Sequence, residues 1–324
     1  MSIFRFARAW SMAALLAASV AAAFAQTYPA KPIKLINPWA PGGAADLIAR
    51  PIMQRLAEAL GQPIVVDNRP GANGTIGAAA AAHAAPDGYT LFFSNVGPVA
   101  ISPALQTNLP YDSIKDFEPI TQLVSGPTVL VVRPDIPVTS MKQLIAYAKA
   151  HPGKLSYGSV GSGSTTHLAG EMLSLMAGVE LLHVPYKGNA PVVTDLLGGQ
   201  LSMAFINVAG AMPYLKSGKF RGIAVTTLKR SAALPELPAV AETLPGFEVN
   251  SWYGLMAPAG TPKAIIERLY RETVKVLKSP KIVEQMAQAG LDIEGTTPKE
   301  HAAQIRSDLE RWARVVKATG ATVN

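Results

Sequence analysis

The sequence predicts an α/β fold with largely parallel sheets, on three grounds. Short runs rich in Val, Ile, Leu, Phe and Tyr alternate with segments of helical periodicity along most of the chain. Polar, Gly or Pro residues bound each run, as strand ends require. Alternation of this kind is how βαβ units read in a sequence.

In chain order, "IKLIN", "PIVVDN", "YTLFFS", "TVLVVRP", "KLSYGS", "LLHVPY", "LSMAFIN" and "GIAVTT" read as strands. "ADLIARPIMQRLAEAL", "MKQLIAYAKAH", "HLAGEMLSLMAG" and "APVVTDLLGG" place apolar residues at helical spacing between them. Gly61 and Gly178 stand where two of these helices should end, because glycine adopts the left-handed cap without a Cβ clash. Ser140 and Gln143 have the spacing of a capping box. The Ala-rich "IGAAAAAHAAPDG" combines helix propensity with small side chains, which suits close helix packing. The C-terminal part changes character. Thr261-Pro262 opens a helix through Lys278, and Thr297-Pro298 with Glu300 opens another through Lys317. Two long helices with no strand between them read as a brace.

The amino terminus has the form of an export signal. "MSIFRFAR" supplies Arg5 and Arg8, an apolar stretch follows, and "AFA" before Gln26 marks a cleavage site after Ala25. The stretch is shorter than the roughly 20 residues that span a bilayer; an uncleaved anchor is the alternative. Removing 25 of 324 residues leaves 299, enough for two domains of roughly 100–200 residues. The absence of cysteine excludes disulfides, thiol catalysis and thiolate metal sites. The formal charge is +7, or +5 without Arg5 and Arg8, and no basic run stands out. A nucleic-acid footprint is therefore missing. A mildly positive body favours an anionic solute only as a long-range bias.

Two segments offer neutral donors at helix starts. Pro41, Gly42 and Gly43 follow the first strand and precede a helix with Asp46 in its first turn. N–H groups there lack helical partners and carry partial positive charge, so an anion is stabilised. Asp46 reads as part of the capping arrangement. In "YGSVGSGSTTHLAGEML", Ser159, Ser162, Ser164, Thr165 and Thr166 supply hydroxyls, while Gly161 and Gly163 permit close backbone approach. Facing each other, the two loops would clamp a carboxylate without arginine. The alternatives are a plain strand-to-helix turn for the first and a flexible surface loop for the second.

Signatures of catalysis are missing. The Gly/Ser loop is not G-x-S-x-G, lacks the third glycine of a dinucleotide fingerprint, and no phosphate-binding G-x-x-x-x-G-K-[ST] occurs. His167 and Glu171 lie four apart on one helix, which suits an interhelical or capping histidine with a same-face partner better than a metal ligand. His183 reads as a packed core histidine; His83, His151 and His301 have no metal-type neighbours. No metal or cofactor is expected.

The residues also carry a family resemblance. "KPIKLINPWAPGGAADLIAR", "VVDNRPGANGTIG", "PDGYTLFFS", "LPYDSIKDFEPIT", "HPGKLSYGSVGSGSTTHLAGE", "HVPYKGNAPVVTDLLGGQLSMAF", "SGKFRGIAVTT" and "YGLMAPAGTP" resemble, in order, the signatures of the Bug family. These TctC-like proteins are periplasmic solute receptors of tripartite tricarboxylate transport systems. The resemblance implies a two-lobe periplasmic-binding-protein fold of Venus-flytrap, type II-like form. The chain would cross between lobes near residues 123–127 and 249–254, giving lobe 1 as 26–125 plus 250–324 and lobe 2 as 126–249. It implies a carboxylate in the cleft, held by the two strand–helix loops partly through ordered waters. Pro41, Gly42 and Gly43 are nominated on one lobe, and Gly161, Ser162, Gly163, Ser164, Thr165 and Thr166 on the other. Trp39, Ser94, Asn95 and Asn207 are nominated as further contacts. Ala45 stands where many relatives have Thr, and Ile206 where many have Asp, which argues against an amino-acid ligand.

The expected function is capture of a small organic carboxylate by a monomeric periplasmic receptor and its delivery to membrane permease subunits. A sensor presenting the loaded form to a membrane signalling partner, such as a sensor kinase, stays open, as does an exported α/β enzyme. Ligand should close the cleft. Thr166→Ala should weaken binding modestly, and Gly43→Val more, by occlusion and by strain if Gly43 needs positive φ.

Overall fold

The computed structural model describes residues 28–322; the expected export signal and cleavage after Ala25 lie outside the described residues. The first unit runs β1 (Ile33–Asn37), α1 (Ala44–Leu60), β2 (Ile64–Asn68), α2 (Thr75–Ala82) and β3 (Thr90–Asn95). A π-helical turn, Gly97–Ile101, leads into the short α3 (Ser102–Leu105), then β4 (Phe117–Val132). The second unit runs α4 (Met141–Ala150), β5 (Ser156–Ser159), α5 (Thr165–Ala177), β6 (Leu182–Pro185), α6 (Asn189–Leu197), β7 (Met203–Asn207), α7 (Val208–Lys216) and β8 (Arg221–Val225). The chain finishes with β9 (Asn250–Pro258), α8 (Lys263–Leu277), α9 (Pro280–Gln288), β10 (Asp292–Ile293) and α10 (Pro298–Thr319).

The strands form a path β2-β1-β3-β9-β4-β7-β5-β6, with β8 and β10 also paired to β4. Its two ends are parallel, as βαβ units require: β1 with β2 and β3, and β5 with β6 and β7. Its centre is antiparallel, through β9 with β3 and β4, and β4 with β7 and β8. The largely parallel sheet expected from the alternation is thus corrected to a mixed one. The reason lies in β4 and β9. Only the last five of the sixteen residues of β4 read as a strand, because Pro119, Gly126 and Pro127 interrupt its pattern, and β9 did not read as one. Residues 117–127 of β4 pair with β9, and residues 128–132 pair with β7 and β8. β4 therefore passes from one half of the sheet into the other at Pro127, where β9 begins opposite it at Asn250.

Alternate residues of a strand face opposite sides of a sheet, and here both sides are covered. Leu91 and Phe93 enter one core with Ile48, Leu56, Leu269 and Ile206, while Phe92 enters the other with Ala78, Leu168 and Trp312. Coverage on both faces is why these strands read as apolar runs without alternation. The Ala-rich helix packs closely, as expected: a Cβ on Gly77 would sit 2.9 Å from Pro38 Cα. Gly61 and Gly178 close α1 and α5 in the left-handed conformation. Ser140 accepts from Gln143 N, and Thr297 with Glu300 forms a reciprocal capping box. Between the two C-terminal helices lie α9 and the two-residue β10, which pairs with β4 and was not expected. The brace itself is real: α10 packs on β4, on the π turn, and on α5 of the second unit.

Buried in that brace, His301 packs edge-on against Trp252, ring centroids 5.1 Å apart, and neither ring nitrogen has a partner. Burial pushes its pKa from 6.5 down to about 4. The unfolded chain therefore takes up this proton first, so the stability is present above pH 6.5 and is lost as pH falls through about 4. Urea midpoints should fall across that window, and His301→Leu should flatten the fall. The remainder belongs in part to His183, whose burial and His167 neighbour also push it to about 4.

Candidate ligand-binding site

Two strand–loop–helix turns face each other across the middle of the sheet. In the first, Gly42 holds a left-handed φ of +79°, and Gly43 is an extended N-cap of α1 with φ −87° and ψ −177°. The conformational need for glycine thus falls on Gly42, and the expectation of positive φ at Gly43 is corrected. A Cβ at Gly43 would meet only Ala40 O, at 3.7 Å. Asp46 reaches back from the first helical turn. Its Oδ2 accepts from Gly42 N and Arg50 Nε, both at 3.0 Å, and its Oδ1 from Asn37 Nδ2 and Asn68 Nδ2 at 3.0 and 3.1 Å. Burial alone would raise its pKa; these bonds and the Arg50 charge outweigh burial and hold the carboxyl below its usual range. Among the described residues, no acceptor takes the N–H of Gly43, Ala44 or Ala45.

The second turn is tied from its own side. Ser164 caps α5 by accepting from His167 N, and its hydroxyl lies 2.7 Å from Gly161 O. Gly163 N donates to His167 Nδ1 at 3.0 Å, which fixes the imidazole proton on Nε2, 3.5 Å from Glu171 Oε1. The His167 bond, against burial, holds the Glu171 carboxyl below the usual range. His183 stacks on His167 at 4.1 Å and bonds Ser159 Oγ at 2.6 Å, which in turn accepts from Gly161 N. His167 is the capping histidine that the sequence suggested, and His183 is part of the loop's support. Thr165 and Thr166 keep backbone N–H groups that no acceptor takes among the described residues.

Between the turns lies a cavity with about 420 Å³ of space between atoms, part of it open to solvent. Of the nominated residues, Trp39, Gly43, Asn95, Ser164, Thr165 and Asn207 line it. Gly161 and Ser162 line an adjoining outer opening that shares Trp39 and Val160 with it. The remaining nominations lie outside that lining. Pro41 and Gly42 shape the first turn without lining the cavity. Gly163 is engaged by His167. The Thr166 hydroxyl is fully buried, accepts from Val160 N at 2.9 Å and meets Ser164 Oγ. Ser94 points to the opposite face, toward Gly254 and His301, because it precedes Asn95 on a strand. Ile206, too, is buried in the core and does not line the cavity.

Sequence reasoning missed Gly188 and Asn189, at the start of α6, and Tyr253 on β9. "VPYKGNAPVV" has the same strand–glycine–helix form as the other two turns, and that signal was available. Tyr253 had none, because β9 did not read as a strand. Asn189 is buried with its Oδ1 unpartnered. The cavity is thus ringed by the starts of α1, α5, α6 and α7, and none of its lining residues carries a charged side chain. Among the described residues, no group of three or more His, Asp or Glu side chains gathers as a metal site would.

A cleft of this kind, set between two α/β units joined through β4, defines a solute-binding protein of the periplasmic-binding-protein fold. A sequence profile of the tripartite tricarboxylate transporter family receptors matches residues 48–321, and the chain belongs to that family, whose receptors are periplasmic. It is 39% identical to Protein BugT of Bordetella pertussis over 299 residues, 92% of either chain. Rpa4515 of R. palustris, solved with adipate, is 36% identical with TM-score 0.89, over 92% of this chain and 100% of that one. MatC of Rhodopseudomonas palustris, solved with malate, is 31% identical with TM-score 0.85, over 89% and 100%. Among the described residues, no helix is long and apolar enough to cross a membrane.

The supports of the two turns should be unequal in weight. Asp46→Ala strands four donors and should lower unfolding free energy by about 2–3 kcal/mol. Thr166→Ala removes one buried hydroxyl acceptor and should lower it by about 1–2 kcal/mol. Chemical denaturation without ligand reads this order; equal losses would refute the assignment of Asp46 as the main anchor.

Proposed function

We propose that this chain is a periplasmic receptor that captures a small organic carboxylate in the cleft and delivers it to membrane permease subunits. One observation carries the reading: free N–H groups at opposed helix starts converge on a cavity that has no charged side chain of its own. Such groups stabilise an anion. A ligand ammonium would find no carboxylate there to pair with, so an amino acid is disfavoured. The adipate and malate of the two Rhodopseudomonas neighbours agree with this chemistry. Export with cleavage after Ala25, a monomer, and lobes of residues 26–125 plus 250–324 and of 126–249 complete the reading. Ligand bridging both turns would favour approach of the lobes about the β4–β9 junction.

Mass spectrometry of the ligand released from purified protein should find an organic acid without an amino group. Calorimetry then separates the site from a basic one. Gly43→Val has room at its Cβ and an extended backbone, so it should fold normally and lose at least about tenfold in affinity, 1.4 kcal/mol, by filling the anion's place. Lys187→Ala, at the outer opening, should stay within about twofold of wild type. The reverse order would remove the Gly-Gly turn as the carboxylate site.

A further inference from the structure

Four consecutive residues after β2 have positive φ: Gly71 (130°), Ala72 (45°), Asn73 (53°) and Gly74 (85°). Glycine holds such angles freely, whereas Ala and Asn do so at a cost. The turn carries the Asn73 side chain across the cleft. Asn73 Nδ2 donates to Gly163 O at 2.6 Å, ninety residues away in the opposite turn, and to Ser102 Oγ at 3.2 Å. The residue is 8% exposed, and its Oδ1 has no partner among the described residues.

The bond lands on the residue that organises the second turn. Gly163 N is already held by His167 of its own helix, and Gly163 O by Asn73 of the other sheet half. Ser164 and Thr165, which line the cavity, follow immediately. On its other side the Asn73 amide lies against Gly97, where a Cβ would come within 3.2 and 3.3 Å of its oxygen and nitrogen. Gly97 also lines the cavity, and Asn73 itself lines the outer opening. The amide therefore bridges the two sides of the mouth directly behind the cavity wall.

We infer that Asn73 is a positioning residue that latches the closed cleft, its amide fixing the Ser164–Thr165 turn only while the two sheet halves are together. This rests on the proposed hinged receptor. The strained turn fits the role: a side chain that merely filled space would not need two non-glycine residues held at positive φ. When the halves part, Gly163 O leaves and the turn loses its outer support. The latch should then act chiefly on ligand escape, because a bound ligand leaves only after the bond breaks.

Two variants test this, with adipate and malate as probes. Asn73→Asp keeps shape and tolerance of positive φ but turns the donor into an acceptor facing Gly163 O. Asn73→Gly removes the amide and relieves the backbone. Both should speed dissociation about tenfold, change association less than twofold, and leave the unliganded melting temperature of the glycine variant no lower than wild type. The chain has no cysteine, so spin labels placed by Val65→Cys and Leu182→Cys, exposed on the two edge strands, read cleft closure cleanly. Without ligand, both Asn73 variants should shift the label distances toward the longer, open population. Wild-type dissociation and distances in both variants would overturn the latch. So would faster release in Asn73→Asp alone, which would be carboxylate repulsion. If wild type binds neither acid, the choice of ligand class is in trouble, while the unliganded label distances still decide the latch: a shift supports it and none overturns it.

Discussion

The pairing of β4 with β9 is the constraint on which the rest of the molecule depends. It connects the two parallel ends of the sheet: β4 runs through the junction, and β9 starts beside it at Asn250. Thr226 ties the junction: its Oγ1 accepts from Thr128 N at 3.0 Å and lies 2.6 Å from Val249 O, while Val249 N donates to Thr226 O at 2.8 Å. The residue is fully buried, so these bonds face no competition from water. Register irregularities between Pro119 and Thr121 and between Gln122 and Val124 bend β4 before it crosses. Gly126 allows the passage, since a Cβ there would press on Leu291 at 2.7 Å and Val208 at 3.1 Å. A two-stranded ribbon resists shear and separation but bends easily, which is what two units facing a common cleft require.

The two facing turns solve one problem with different side chains. In each, a glycine N–H is taken by the side chain four residues later: Gly42 by Asp46, and Gly163 by His167. That leaves the next N–H groups, at Gly43 to Ala45 and at Thr165 and Thr166, without protein partners. The carboxylate on the first turn places a negative charge close to the proposed anion position. Arg50 and the amides of Asn37 and Asn68 surround it, so its charge is largely consumed locally. On the second turn the capping group is an imidazole that accepts through an unprotonated Nδ1, and Glu171 stands behind its Nε2. Each turn is thus braced from its own side before any ligand arrives, and such preorganisation of the donors favours affinity.

How much of this was legible depended on whether the signal was local. Helix ends at Gly61, Gly178, Ser140 and Thr297 came from residues that act within one turn, and the structure places them where the sequence did. Strands buried on both faces read clearly as apolar runs. β9 and most of β4 did not, because Pro119, Gly126, Pro127 and Gly254 serve the bend and the packing against His301 rather than strand propensity. The antiparallel centre of the sheet was lost with them. Within the site, glycine and hydroxyl composition located both turns but did not say which atoms face inward. Thr166 and Ser94 look equivalent to Thr165 and Asn95 in sequence; one residue of helical rotation or one step along a strand separates lining from support.

A cleft without charged side chains is also a consistent way to hold an anion between moving parts. A guanidinium at the mouth would be a mobile charged group that must shed water and side-chain freedom each time the cleft shuts. Helix N–H groups need neither step. Their direction is fixed by the helices to which they belong, and their partial charge does not vanish or shift with pH. Their individual bonds are weaker, and several must converge from both sides before the ligand is held firmly. Binding and closure then become one event, because the donor set is complete only when the two turns meet. The geometry of Gly43, Thr165 and Asn189, each on a different helix and all lining one cavity, has that property.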